Sequence, residues 1–156
     1  MKTLIVYYTK TNTTKEIAER IAEKLISKGH DVDIMLVDEN IDLGMYENVV
    51  IGAPINGMRM VPEFQKFIDE NYVLLQAKNV SIFAVSYLIR IGRMMWQKAI
   101  RRAVKNYETI SSNIKIFQGR IDKPFSAFPR FMFGVKKSTP TDLREWSVID
   151  KWIDTL

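Results

Sequence analysis

Thr9-Lys10-Thr11-Asn12-Thr13-Thr14 places four hydroxyls within six residues. At the start of a helix such a run offers what a phosphate dianion needs. Hydroxyl donors meet the unspent backbone N–H groups of the first turn and the positive end of the helix dipole. The same residues also make an ordinary helix start, with Thr13 or Thr14 as N-cap and the others solvated, so the surroundings decide. Leu4-Ile5-Val6-Tyr7-Tyr8 precedes the run and reads as a buried strand, β-branched and aromatic. Lys15 to Leu25 follows, with apolar residues at 17, 18, 21, 22 and 25 on one helical face. The run is therefore a turn between a strand and a helix.

Other chemistries find little support. Cysteine is absent and the only histidine, His30, follows Gly29 at the end of the first helix. Thiolate and histidine-rich metal sites, disulfides and Cys or His triads are accordingly not expected, and no catalytic acid or base stands out. No apolar run approaches the roughly 18 residues of a membrane span, and the opening run is too short for a signal peptide. Asn12-Thr13-Thr14 matches a glycosylation sequon, but with no secretory signal ahead of it the expected location is cytoplasmic. The net charge of +5 is uneven: residues 1–89 carry −3, residues 90–137 carry +10 and residues 138–156 carry −2. The basic stretch reads as a surface facing something anionic, whether a partner protein, a membrane, an acidic substrate or nucleic acid.

The remaining chain alternates strands and helices. Val32–Val37, Asn48–Ala53, Val80–Ser86 and Ile114–Gln118 are expected strands. The third is wholly apolar and stops at Pro54. Asp38 to Tyr46 has a weak helical hint. Pro62 fits the first turn of a helix that turns Phe64, Phe67, Ile68, Tyr72 and Leu75 inward. A later helix carries Met95, Ala99, Ile100, Ala103, Val104 and Tyr107 on its apolar face. Residues 119–141 are expected to be a long loop, with three prolines and four phenylalanines; loops of that length are usually functional. Thr141 or Asp142 then caps a last helix with Trp146, Ile149, Trp152 and Ile153 inward. The pattern predicts one domain over 1–156, an α/β fold of three layers with a doubly wound, five-stranded parallel sheet in the order 2-1-3-4-5. Ligands of such sheets bind beyond the carboxyl ends of the strands at the switch in strand order. There the segments 9–14, 54–60 and 86–92 converge.

With that arrangement the chain resembles the flavodoxin superfamily. The family's first loop reads (S/T)-x-T-G-x-T, matched by Thr9 to Thr14 with Asn12 in place of glycine. Asn is the next best residue for a left-handed turn. More narrowly, the MKTLI start, the Val49–Ala53 strand, Phe64 and Phe67 on the following helix, the basic aromatic stretch around Phe128-Pro129-Arg130-Phe131-Met132 and the tryptophan-bearing last helix resemble the flavodoxin-like menaquinone-dependent protoporphyrinogen oxidases.

The resemblance implies FMN as cofactor. Thr9, Thr11, Thr13 and Thr14, with the backbone of Lys10 and Asn12, would hold its phosphate. Pro54, Ile55, Asn56, Gly57 and Met58 would lie along one side of the flavin ring, with the Asn56-Gly57 peptide near N5 or serving only as a turn. Ser86, Tyr87 and Leu88 would line the pyrimidine side, Tyr87 stacking on the ring or filling core. Trp96, Met58 and Met60 are further candidates to cover it. Electron transfer or flavin-dependent oxidoreduction is implied, with a redox partner protein or a quinone, or alternatively a dehydrogenase of the protoporphyrinogen oxidase type passing electrons to a quinone, and with the 119–137 loop docking on an acidic protein or an anionic membrane surface. The alternatives are a receiver-like module, which lacks its acidic cluster here, and a nucleic-acid binder, for which no motif is present. No nucleic-acid partner is expected.

Overall fold

The structure is a computed structural model describing residues 2–37 and 40–156. Its centre is a parallel sheet of β1 (Lys2–Tyr7), β2 (Asp31–Leu36), β3 (Asn48–Asn56), β5 (Asn79–Ser86) and β6 (Asn113–Gln118), in the order β2-β1-β3-β5-β6. The two-residue β4 (Arg59–Met60) folds back antiparallel on the end of β3 and adds no rung to the main sheet. Without it, the order is the expected 2-1-3-4-5.

Side chains alternate across the sheet, as the two-residue period of a strand requires. Leu4, Val6, Val49, Ile51, Ile82 and Ala84 face α2 (Pro62–Gln76), meeting Phe64, Phe67, Ile68 and Leu75. Ile5, Tyr7, Val50, Phe83 and Val85 face α1 (Thr13–Ser27) and α5 (Trp146–Ile153), meeting Ile17, Ile21, Leu25, Ile149 and Trp152. Gly52 lies where the Phe83 ring fills the second layer, and a Cβ on it would stand 2.0 Å from that ring. Phe83 in turn packs against Phe117 and Trp152.

Several local expectations are corrected. β3 runs past Pro54 to Asn56. Beyond Gly52 it has no β1 partner, and a strand edge tolerates a proline. The hint of helix over 38–46 becomes a 3-10 turn at Leu43–Met45, with residues 38 and 39 outside the described residues. Helix α3 is Met94–Ala103, and a 3-10 turn over Lys105–Thr109 carries Tyr107 inward. Met95, Tyr72 and Trp146 are exposed rather than inward. The last helix starts at Trp146, not at Thr141 or Asp142. Asp142 instead spends its carboxylate on Arg144. Within 119–141, residues Ala127–Phe133 form a short helix, α4, closed by Gly134 at φ +74°.

Candidate cofactor site

The phosphate-type turn is built where β1 ends. Asn12 adopts φ 60°, ψ −2°, the left-handed conformation that its position demands, and is the N-cap residue of α1 without a side-chain cap bond. Thr13 and Thr14 are therefore inside the helix, not its caps, and both are buried. The Thr11 and Thr13 hydroxyls lie 3.3 Å apart. The Thr9 hydroxyl is buried without any hydrogen-bond partner. A buried polar atom left unpaired costs about 1–3 kcal/mol, and here it adjoins N–H groups that have no acceptor inside the helix.

A cavity of about 290 Å³ opens on this turn, lined by Thr9, Lys10, Thr11, Thr13 and Thr14, by Pro54, Ile55 and Asn56, by Val85, Ser86 and Tyr87, and by Gly119 to Asp122. A second cavity of about 530 Å³ shares Ile55, Asn56, Ser86, Tyr87 and Ile121 with the first. It continues past Gly57, Met58 and Leu88 to Trp96, Ile100, Phe125, Met132 and Phe133. One end of the joint cleft is polar and lies against a helix N-terminus; the other is apolar and aromatic. Every residue expected to hold the phosphate or flank the ring lines one or both cavities except Asn12, which shapes the turn. Met60 does not reach the cleft; it opens instead toward Pro62 and Tyr107.

Between the two lobes, Asn56 pairs with Arg59, so the two central turn residues are Gly57 and Met58, with φ of 56° and 64°. Two positive φ values in a two-residue hairpin make a type I′ turn. Gly57 adopts this freely, whereas Met58 carries strain beside the cavity. Tyr87 packs edge-on to Phe125 and donates its hydroxyl to the Pro140 carbonyl at 2.6 Å. Burial pushes its phenol up from the ordinary range. In this arrangement Tyr87 is a wall between the lobes, held by the segment above it.

That segment is where sequence reasoning fell short. Residues 119–121 pair with 141–143: Arg120 bridges Asp142, the Ile121 N–H reaches the Thr141 carbonyl at 2.9 Å, and the Leu143 N–H reaches Gly119 at 3.2 Å. Above this neck Phe125 and Phe133 turn inward, 5.3 Å apart, and Phe133 meets Trp96 edge-on. Phe128 and Phe131 turn outward, 73% and 74% exposed. Arg93 clamps the cap to the start of α3. Its N–H bonds to the Phe133 carbonyl, its guanidinium to the Phe131 carbonyl, and it lies over the Phe131 ring. The Trp96 indole donates to Met132 at 3.0 Å. The spacing of phenylalanines in a proline-rich stretch does not reveal which of them point in.

Arg120, Phe125 and Phe133 were likewise not singled out as site residues. Arg120 reaches the Thr11 carbonyl at 3.2 Å and Glu16 at 3.2 Å. Glu16 also accepts from Arg144, itself bound to Asp142. These bonds hold the Glu16 carboxyl below its usual range, with Arg144 the larger cause and Arg120 second. Asp142 is lowered chiefly by its hydrogen bond from Arg144. Among the described residues, no group of His, Asp and Glu is arranged to hold a metal.

Comparison with known proteins settles the family. A family model for a flavodoxin domain matches residues 4–141. The chain belongs to the flavodoxin family. A flavodoxin from Clostridium beijerinckii is 36% identical over 66% of this chain and 75% of its own. A protoporphyrinogen IX dehydrogenase [quinone] from Escherichia coli K12 is 32% identical over 97% of this chain and 89% of its own. Among solved structures, flavodoxin 1 from Bacillus cereus superposes with a TM-score of 0.63 at 12% identity, covering 99% of this chain and 94% of that one. This chain is an FMN-binding member of that family, acting in electron transfer or flavin-dependent oxidoreduction. The donor set fits that cofactor: the orphaned Thr9 hydroxyl and the open helix end suit a phosphate, and the aromatic lobe suits a flat ring.

Proposed function

We propose that this flavodoxin is a flavin-dependent dehydrogenase of the protoporphyrinogen type that passes electrons to a quinone at an anionic membrane surface on the cytoplasmic side. Bound FMN supplies the redox chemistry; the chain supplies binding, orientation and exclusion of water. Thr9, Thr11, Thr13 and Thr14 and the N–H groups of 10–14 would take the phosphate, while Ile55 to Met58 and Ser86 to Leu88 would flank the ring. Trp96, Phe125 and Phe133 would keep water from the far side.

The observation that carries this reading is the cap. Its inward phenylalanines line the ring lobe, and its outward Phe128 and Phe131 are exposed, as are Lys123, Lys136 and Lys137 of the same segment and Arg93, Met94 and Met95 at the start of α3, where Arg93 lies against Phe131. Exposed aromatic and methionine side chains within a basic collar suit the headgroup region of an anionic bilayer, where apolar burial and charge attraction act together. No helix of the described residues is long and apolar enough to cross a membrane, so contact would be peripheral. The likeness to a dehydrogenase over 97% of the chain supports the same reading.

Anaerobic photoreduction followed by mixing with anionic vesicles containing menaquinone tests it. Rapid reoxidation, slowed by high salt, is expected, as is bleaching of the oxidised flavin by protoporphyrinogen IX. Failure of both half-reactions, with fast transfer to a small acidic redox protein, would make this chain an electron carrier instead.

A further inference from the structure

We propose that Arg120 is a cofactor-positioning residue that senses the phosphate and couples its arrival to closure of the 119–143 cap. This rests on the FMN reading of the turn and assigns a role that the hydroxyl-rich loop itself does not contain.

Arg120 is the first residue of the chain beyond β6 whose side chain turns back to the phosphate lobe, where it lines the cavity beside Lys10 and Thr11. Its backbone forms the neck of the cap with Asp142. Its guanidinium makes contacts of 3.2 and 3.4 Å to the Glu16 carboxylate and one of 3.2 Å to the Thr11 carbonyl. A guanidinium has five N–H donors, so donors remain for a further acceptor. The side chain is 28% exposed, open enough to reach into the lobe.

Glu16 sits in the first turn of α1, where a negative charge is favoured by the helix dipole. A phosphate dianion in the adjacent turn is a second anion at the same helix end. Without a cation between them the two would repel. Arg120 and Arg144 both hold Glu16, but Arg144 is committed to Asp142 and its side chain is only 6% exposed. Arg120 alone of the pair lines the cavity. It is the residue that can divide its donors between Glu16 and the phosphate. Doing so would fix the Arg120 backbone, and with it the neck that suspends Phe125 and Phe133 over the ring lobe. Phosphate would thereby order the cover of the ring, which it does not itself touch.

The test compares FMN with riboflavin, which carries the ring without the phosphate. Affinities are measured by fluorescence quenching for the unmodified protein, R120Q and R120K, and amide hydrogen exchange is followed over residues 121–143. Loss of a charge-assisted hydrogen bond predicts FMN binding about tenfold weaker in R120Q, with riboflavin binding unchanged and R120K intermediate. In the unmodified protein, FMN should protect residues 121–143 more than riboflavin does, and R120Q should erase that difference. Equal weakening of both flavins in R120Q would reduce Arg120 to a structural strut and overturn the proposal, as would unchanged FMN binding. An unmodified protein that binds neither flavin would overturn the cofactor reading itself.

Discussion

The two walls of the cleft are held in different ways. The phosphate turn is fixed by generic elements: β1 lies between two neighbours, α1 packs its full apolar face, and Thr13 and Thr14 are buried in the first helical turn. The cap is fixed by a narrow neck, by the Arg93 clamp and by a small cluster around Tyr87, Leu88, Ile89 and Ile100. One wall is part of the fold, and the other is an addition resting on it. Cofactor affinity should therefore reside mainly in the turn, and the choice of partner in the cap. Substitutions in each wall can separate the two.

The two largest effects are expected to be of similar size, one in each wall, the first at the cap. Changing Lys123, Arg130, Lys136 and Lys137 to glutamine removes charges worth roughly 1 kcal/mol each near an anionic surface. Partition into anionic vesicles should fall by two orders of magnitude or more, while FMN affinity stays put; a parallel loss of FMN binding would break the division of labour. Next is the turn. Thr11→Val with Thr14→Val deletes two donors to a dianion, each worth about 1.5–3 kcal/mol. FMN should bind at least ~100-fold more weakly by titration of the apoprotein, with vesicle binding retained.

Thr9→Val is smaller and sharper, because its two effects have opposite signs. Removing the unpartnered buried hydroxyl should stabilise the apoprotein by about 1 kcal/mol in urea unfolding and weaken FMN about tenfold. FMN binding unchanged or tightened in Thr9→Val would mean that the hydroxyl never meets the phosphate.

The smallest effect concerns the bridge between the walls. Glu16 titrates below its ordinary value of 4.5 in the folded protein. Its contribution to stability is thus present above about pH 4.5 and is lost as pH falls through the lowered folded value. Asp142 shifts in the same direction. Glu16→Gln should flatten the acid limb of the stability profile. An identical limb in the variant would show that the ion-pair network contributes nothing to holding the neck.

The sequence was most legible where the chain's local chemistry and the fold agree. The strand–turn–helix unit at 2–27, the strand order and the segments 54–58 and 86–88 that line the cleft follow from short-range patterns. Asn12 could be read as a left-handed residue because few other side chains accept φ near 60°. The Asn56-Gly57 pair announced a turn, although the turn centres one residue later, on Gly57 and Met58. What stayed hidden depends on distant partners. Glu16 and Arg120 meet across 104 positions and Glu16 and Arg144 across 128. Trp146 looked like an inward residue by its helical phase but lies at the surface, its ring stacked on the buried Arg144 guanidinium. Phe125 and Phe128 are three positions apart, yet one faces the ring lobe and the other solvent, because α4 begins only at Ala127.

The neck at Arg120 and Asp142 also makes the cap a detachable module. Chain enters and leaves it at adjacent points, after β6 and before α5, so its length and composition can change without disturbing a strand register or the two layers packed on the sheet. Insertion, shortening or replacement of residues 122–140 is then an evolutionary move with little cost to the scaffold. If the choice of partner resides in this segment, it should travel with the segment when residues 122–140 are grafted onto a bare scaffold of the same family.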